Sequence, residues 1–243
     1  MGFGFLVGSL FYQEPSTEQG VGETLAYFVF QVAFFMYTSL EALPIFLAER
    51  EIFQREYSRG AYRGASYVTA VTLVYIPFLL ILGAIFLVAS WWLVGLVPAS
   101  PDAWFFQLLT LLCTNMAAQS FAVLTSVLVP DPMTGQSAGS GLLSVMFLFS
   151  GFFIKTSRIP IWWRWLHYLS LFTFSFESMV VNFITSGAGI STPFSSTNDL
   201  LVYYSVDGVD RWRGIGVLLG YTVFYRIIFY VMLITRFNGQ RKD

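Results

Sequence analysis

Glu41, Glu177 and Arg226 each stand within an otherwise apolar stretch, and their chemistry is the first constraint on what the chain does. A carboxylate at the centre of a bilayer costs about 2.5–3.5 kcal/mol on insertion scales, so Glu41 is expected to face a partner, water or the interior of a helix bundle. Arg226 lies thirteen residues after Arg213 and ten before Arg236, in the middle of its stretch. It cannot easily snorkel to either surface, so pairing with Glu41, Glu177 or backbone carbonyls is expected. Gln31, Phe34, Thr38 and Glu41 fall at offsets of 0, 3, 7 and 10, which at about 100° per residue keeps them within an arc of about 80°. One reading makes this stripe the lining of a cargo path or relay; the other makes it a packing contact between helices. Asn115 and Gln119, spaced i and i+4, read as interhelical glue.

Other chemistries lack their residues. A P-loop needs Lys after Gly, but Lys155 follows Ile154 and Lys242 follows Arg241. There is no His-Glu-x-x-His and no paired-acid cluster, so no catalytic site is expected. Cys113 is the one cysteine and His167 the one histidine, which argues against a zinc or copper site and excludes an intrachain disulfide.

The elements that must position these residues are membrane helices. The 243 residues are 56% hydrophobic and 19% aromatic, and only 11% are charged, against about a quarter in soluble domains. Residues 64–101, 103–130 and 132–154 contain no charged side chain, and each run exceeds the roughly 20 residues that cross a bilayer as a helix. The expectation is an all-α polytopic membrane protein with full spans at 24–48, 65–95, 104–128, 139–154 and 214–236. Gly2–Tyr12 is apolar as well; at about 16 Å of helix it is expected to be the outer half of a truncated first span, or else a re-entrant or interfacial piece. With 13 Lys and Arg against 14 Asp and Glu, there is no basic excess for nucleic acid.

Arg50, Arg55, Arg59 and Arg63 cluster between the first two full spans, and Arg236, Arg241 and Lys242 follow the last, whereas 13–23 and 96–103 carry neither Lys nor Arg. The arginine-rich side is therefore cytoplasmic. All seven tryptophans, from Trp91 to Trp212, then fall at the opposite interface, where such rings are enriched. Two features run against this: the loop 129–138 has Asp131 as its only charge, and the outer segment 155–212 carries Lys155, Arg158, Arg164 and Arg211, with Arg213 directly after it. Within that outer segment, 165–185 is apolar. It is expected to be a re-entrant or surface helix, the alternative being a further span.

Glu49 to Tyr57 mixes both charge signs at helical spacing, with Glu51 and Arg55 a favourable i,i+4 pair. A solvated interfacial helix and a docking helix explain that equally well. The stretch Ala42-Leu43-Pro44-Ile45-Phe46-Leu47-Ala48-Glu49-Arg50-Glu51-Ile52-Phe53-Gln54-Arg55-Glu56, with Ala61-Tyr62-Arg63 and Ser66-Tyr67, resembles the second transmembrane helix and first cytoplasmic loop of G-subfamily ATP-binding cassette (ABC) exporters. Leu148-Phe149-Ser150-Gly151-Phe152-Phe153-Ile154 resembles that family's fifth helix. Ile159-Pro160, Trp163, Trp165, His167-Tyr168, Ser170 and Glu177 are similar to the segment after it, and Tyr225-Arg226-Ile227 with Phe229-Tyr230 to the sixth helix of plant half-size members.

The resemblance implies an ABC-2 type transmembrane domain over 1–243, with six helices per subunit. It implies a homo- or heterodimer with another half-transporter, within membrane lipid, in the plasma membrane. ATP and Mg would sit on a nucleotide-binding domain that this sequence does not contain, and no cofactor is implied for the chain itself. Under the same resemblance Glu49, Arg50, Arg55 and Glu56 couple to that domain. Phe34, Tyr37 and Thr38, with Leu143, Ser144 and Phe147, line the cargo path, and Phe152 and Phe153 form a hydrophobic gate. The cargo implied is hydrophobic or lipid-like. An ATP-independent channel or carrier, or a non-transporting truncated scaffold, is the alternative.

Overall fold

The computed structural model describes residues 2–12, 18–61, 63–96, 101–154, 159–186, 201–202, 206 and 208–237; the side chains of 18, 19, 236 and 237 are not among them. The basic pair Lys155 and Arg158, all of residues 187–200, and Arg241 with Lys242 therefore lie outside the described residues.

The described residues are all-α. Helices run α1 Gly2–Leu10, α2 Glu18–Glu41, α3 Leu43–Ser58, α4 Gly64–Trp91, α5 Pro101–Leu128, α6 Pro132–Leu148, α7 Arg164–Leu169 after a short 3₁₀ turn, α8 Leu171–Thr185 and α9 Arg211–Phe237. Among the described residues, four stretches are long and apolar enough to cross a membrane: Gly20–Ser58, Gly64–Trp91, Pro101–Leu128 and Arg211–Thr235.

Polarity decides which helix takes the centre. α4 is the most apolar of the four, yet few of its residues are buried, whereas most of α5 is. Lipid accepts the Leu, Val and Ile of α4. The Gln107, Thr110, Thr114, Asn115, Gln119 and Ser120 of α5 are all buried in the protein, because polar groups facing hydrocarbon are costly. α5 is thus the post against which α2, α3, α4, α6, α8 and α9 pack.

Close approach elsewhere runs through glycine. Gly4 lies against Phe86 and Ala89, and Gly8 against Ser90 and Leu93, so α1 beds on the C-terminal half of α4. Gly139 faces Leu40 and Gly135 faces Leu43, bringing α6 onto the α2–α3 corner. These are small-xxx-small spacings, which let membrane helices approach backbone to backbone.

The apolar stretch read as 24–48 is a helix interrupted at Ala42, just before Pro44, which occupies the first turn of α3 because that position needs no backbone donor. The stretch read as 139–154 is shifted: α6 starts at Pro132, capped by the Asp131 carboxylate on the Thr134 N–H at 2.8 Å, and ends at Leu148. Gly151, at φ 92°, then turns the chain in a conformation that suits glycine.

The 165–185 stretch is not one continuous helix. It breaks at Ser170, whose hydroxyl donates to the Met146 carbonyl near the C-terminal end of α6 at 2.8 Å. α8 then climbs back until Asn182 Nδ2 donates to the Ala103 carbonyl at 3.0 Å, beside the start of α5. At fifteen residues it is only about 22 Å long. The tryptophans gather at this end too: Trp212 meets Phe106 edge-on at 5.1 Å and Trp163 stacks on Phe149 at 5.9 Å.

Candidate cargo path, gate and coupling helix

α2 sends four of its polar or aromatic candidates in different directions. Tyr37 reaches α6, where its hydroxyl and Ser144 Oγ lie 2.8 Å apart in an exposed pair. Thr38 faces inward, onto a crevice of about 130 Å³ shared with Tyr75, Asn115 and Gln119. Phe34 turns toward α1 and α4, stacking on Phe3 at 4.0 Å and on Phe86 at 5.8 Å. Gln31 is buried and accepts from Gln107 Nε2 at 3.2 Å. The stripe drawn from spacing alone therefore divides among α1, α4 and α5, with Glu41 exposed, while Tyr37 beside it reaches α6. On α6, Ser144 is exposed, Phe147 is half-buried and Leu143 is fully buried in the core.

Beyond α6, Phe152 and Phe153 stand edge to face at 5.1 Å. Phe152 also meets Phe176 of α8 at 5.8 Å, and Phe153 meets Phe147 at 5.1 Å, leaving Phe153 54% exposed. The end of α6 is tied down from below. The Phe149 carbonyl accepts His167 Nδ1–H at 2.9 Å and Thr173 Oγ1–H at 3.3 Å, which with the Ser170 bond satisfies carbonyls a helix end leaves open. Glu177 Oε1 lies 4.0 Å from His167 Nε2. Ser170 and Thr173 were not singled out by sequence reasoning as holding this corner. The available signal was Ser170 standing directly before an apolar helix, an N-cap position.

α3 divides into a held face and a free one. Arg50 Nη1 donates to the Ser126 carbonyl and, at 3.1 Å, to the Val129 carbonyl, capping the end of α5 where the helix dipole favours a cation. Glu49 Oε1 accepts from the Tyr75 hydroxyl of α4 at 3.4 Å. Phe53 is fully buried, stacked on Tyr57 at 5.2 Å and against Tyr67 at 4.7 Å. Glu51, Ile52, Arg55 and Glu56 are exposed.

Neither intramembrane ion finds the other. Glu41 is the exposed last residue of α2. Arg226 is 93% buried by its 7% exposure, and is held by α5: Nε donates to Ser120 Oγ at 3.1 Å and Nη2 to Gln119 Oε1 at 3.3 Å. Pairing with Glu41 or Glu177 is thus replaced by neutral acceptors, because α5 and not α2 or α8 lies against this face of α9. Gln119 acts as glue toward an arginine rather than another amide.

Against this architecture, residues 1–184 match the family model for ABC-2 type transporters. The chain is 39% identical over 238 residues to ABC transporter G family member 5 of Arabidopsis thaliana, covering 96% of this chain and 36% of that protein. Member 23 of the same plant is 36% identical over 239 residues, with 96% and 38% covered, and STR2 of Petunia hybrida 31% over 244 residues, with 98% and 33% covered. The chain spans about a third of the length of these relatives. A polytopic helical bundle with a corner helix held on its central post, matched over most of its length by that family and by plant G members, belongs to the ABC-2 type transporters as a G-family transmembrane domain.

Proposed function

We propose that the chain is the membrane-spanning part of an ATP-driven exporter of hydrophobic or lipid-like molecules, working as a dimer of half-transporters in the plasma membrane. The observation that carries this reading is the split in α3: Glu49 and Arg50 clamp it to α4 and α5, while Ile52, Arg55 and Glu56 face outward. A push on the exposed face is transmitted straight to the central post, which is what a coupling helix requires. The chain's own residues do not fit a nucleotide, since neither lysine follows a glycine, so ATP and Mg belong to a nucleotide-binding domain. That domain supplies the hydrolysis; this chain binds cargo, shields it from lipid and moves.

For cargo, the surface formed by Tyr37, Ser144, Phe147, Phe152 and Phe153 carries hydroxyls and rings but no ionised group. An apolar or amphipathic solute suits it, because a charged one needs compensating charge at that depth. Exposed Leu142, Val145 and Leu148 continue the same helix, leaving a face that a second copy closes.

The test is vectorial transport. The chain is joined to a G-family nucleotide-binding domain, reconstituted in vesicles, and assayed with a fluorescent lipid and with a charged sugar phosphate. ATP-dependent movement of the lipid alone is expected. Movement that is independent of ATP would favour a channel or carrier instead, and no movement in a folded dimer would favour a scaffold.

A further inference from the structure

A groove of about 520 Å³ opens between α4 and α9, lined on α4 by Ala65, Thr69 and Leu73 and on α9 by Leu219, Val223 and Arg226, down to Tyr230. From Leu219 to Tyr230 it runs about 16 Å along α9, roughly half the hydrocarbon thickness and so one leaflet. Its polarity is graded. Tyr230 lies beside Gly64, the first residue of α4, which marks the cytoplasmic end, and Arg226 stands one turn, about 6 Å, above it. Farther up, Val223, Leu219 and Leu73 are exposed aliphatic side chains, at 58%, 42% and 61%.

Arg226 is the one charged group of this lining. Two of its nitrogens are bonded to α5, but Nη1 is buried with no hydrogen-bond partner. Among the described residues no carboxylate forms an ion pair with it. A guanidinium stays ionised in proteins, and a buried cation without a counter-ion is costly, so the groove lacks an anion. Arg63, exposed, stands two residues before Ala65 at its mouth. Basic pockets between helices on the cytoplasmic side attract anionic headgroups, and the aliphatic upper half matches an acyl chain pointing at the midplane.

The geometry points to a binding site for an anionic phospholipid of the cytoplasmic leaflet, its phosphate on Arg226 and one acyl chain along Val223, Leu219 and Leu73. The inference is independent of the export reading, since the groove shares no residue with the α2–α6 face.

The test is native mass spectrometry of the 243-residue chain released from bilayers holding equal phosphatidylglycerol and phosphatidylcholine, with oleate added in a second series. Wild-type protein is expected to retain phosphatidylglycerol about fivefold over phosphatidylcholine, the ratio one basic residue supports. Arg226→Gln removes the charge, and Leu219→Trp fills the exposed wall while leaving the bonds to Ser120 and Gln119 in place. Both are expected to bring retention to parity. Equal retention by the wild type, an undiminished preference in folded Leu219→Trp, or oleate displacing the phospholipid would each overturn the site.

Discussion

At the scale of the residue, two side chains of one helix that look alike in sequence have opposite duties. Arg50 is bonded to the carbonyls that end α5, whereas Arg55 is exposed. Arg50→Ala is expected to cost about 1.5–3 kcal/mol, the range for hydrogen bonds to charged groups, and Arg55→Ala less than about 0.5 kcal/mol, as read by thermal unfolding in detergent. In a chain joined to a nucleotide-binding domain, Arg55→Ala should instead lower cargo-stimulated ATPase at normal surface level. Asp131, the lone charge of its loop, is an N-cap whose carboxyl is held below the ordinary aspartate range, first by the Thr134 backbone N–H and then by its hydroxyl. A depressed carboxyl stabilises the fold above its unfolded pKa, and that contribution disappears as pH falls through the folded value. Asp131→Ala should therefore loosen the start of α6 at neutral pH and flatten the acid side of the stability profile, while Asp131→Asn keeps the cap and loses only the pH dependence.

At the scale of the element, close packing of helices makes neighbouring glycines unequal. A Cβ on Gly214 would lie 2.5 Å from the Phe174 backbone carbonyl, while one on Gly216 meets nothing within 4 Å. Gly214→Ala must then push α9 off α8, at about 1–3 kcal/mol for overpacking, and Gly216→Ala should be neutral or slightly stabilising. Detergent melting curves of the two variants check this directly. Because α8 also holds the end of α6 through Ser170 and Thr173, Gly214→Ala is further expected to increase the accessibility of a cysteine placed at position 153.

At the scale of the whole molecule, the proposed gate would be completed by the proposed dimer. Two copies would bring four rings from Phe152 and Phe153 together near a two-fold axis. In a chain joined to its nucleotide-binding domain, Phe152→Ala with Phe153→Ala should change transport or its coupling to ATPase with the protein still folded and at the surface. Unchanged transport kinetics would remove the gate role. Loss of protein at constant specific activity would make the rings, which also meet Phe147 and Phe176, packing residues alone. The 243-residue chain by itself should show only background ATPase in detergent.

The membrane class and the all-α fold were legible in the sequence, because uncharged runs such as 64–101 leave a helix in lipid as the one economical way to satisfy the backbone. The family was legible in local strings such as Phe149-Ser150-Gly151-Phe152-Phe153. Direction was not. Gln31, Phe34, Thr38 and Glu41 share an arc of about 80°, yet whether each meets α1, α4, α5 or solvent depends on where those neighbours stand. Burial was hidden for the same reason: hydropathy ranks α4 above α5, but in lipid the more polar helix takes the centre. Arg226 shows both limits. Its charge and span were readable from sequence, but only the packing of α9 on α5 assigned it Ser120 and Gln119 and left one nitrogen without a partner, because pairing in a bundle is set by which faces touch rather than by which charges exist.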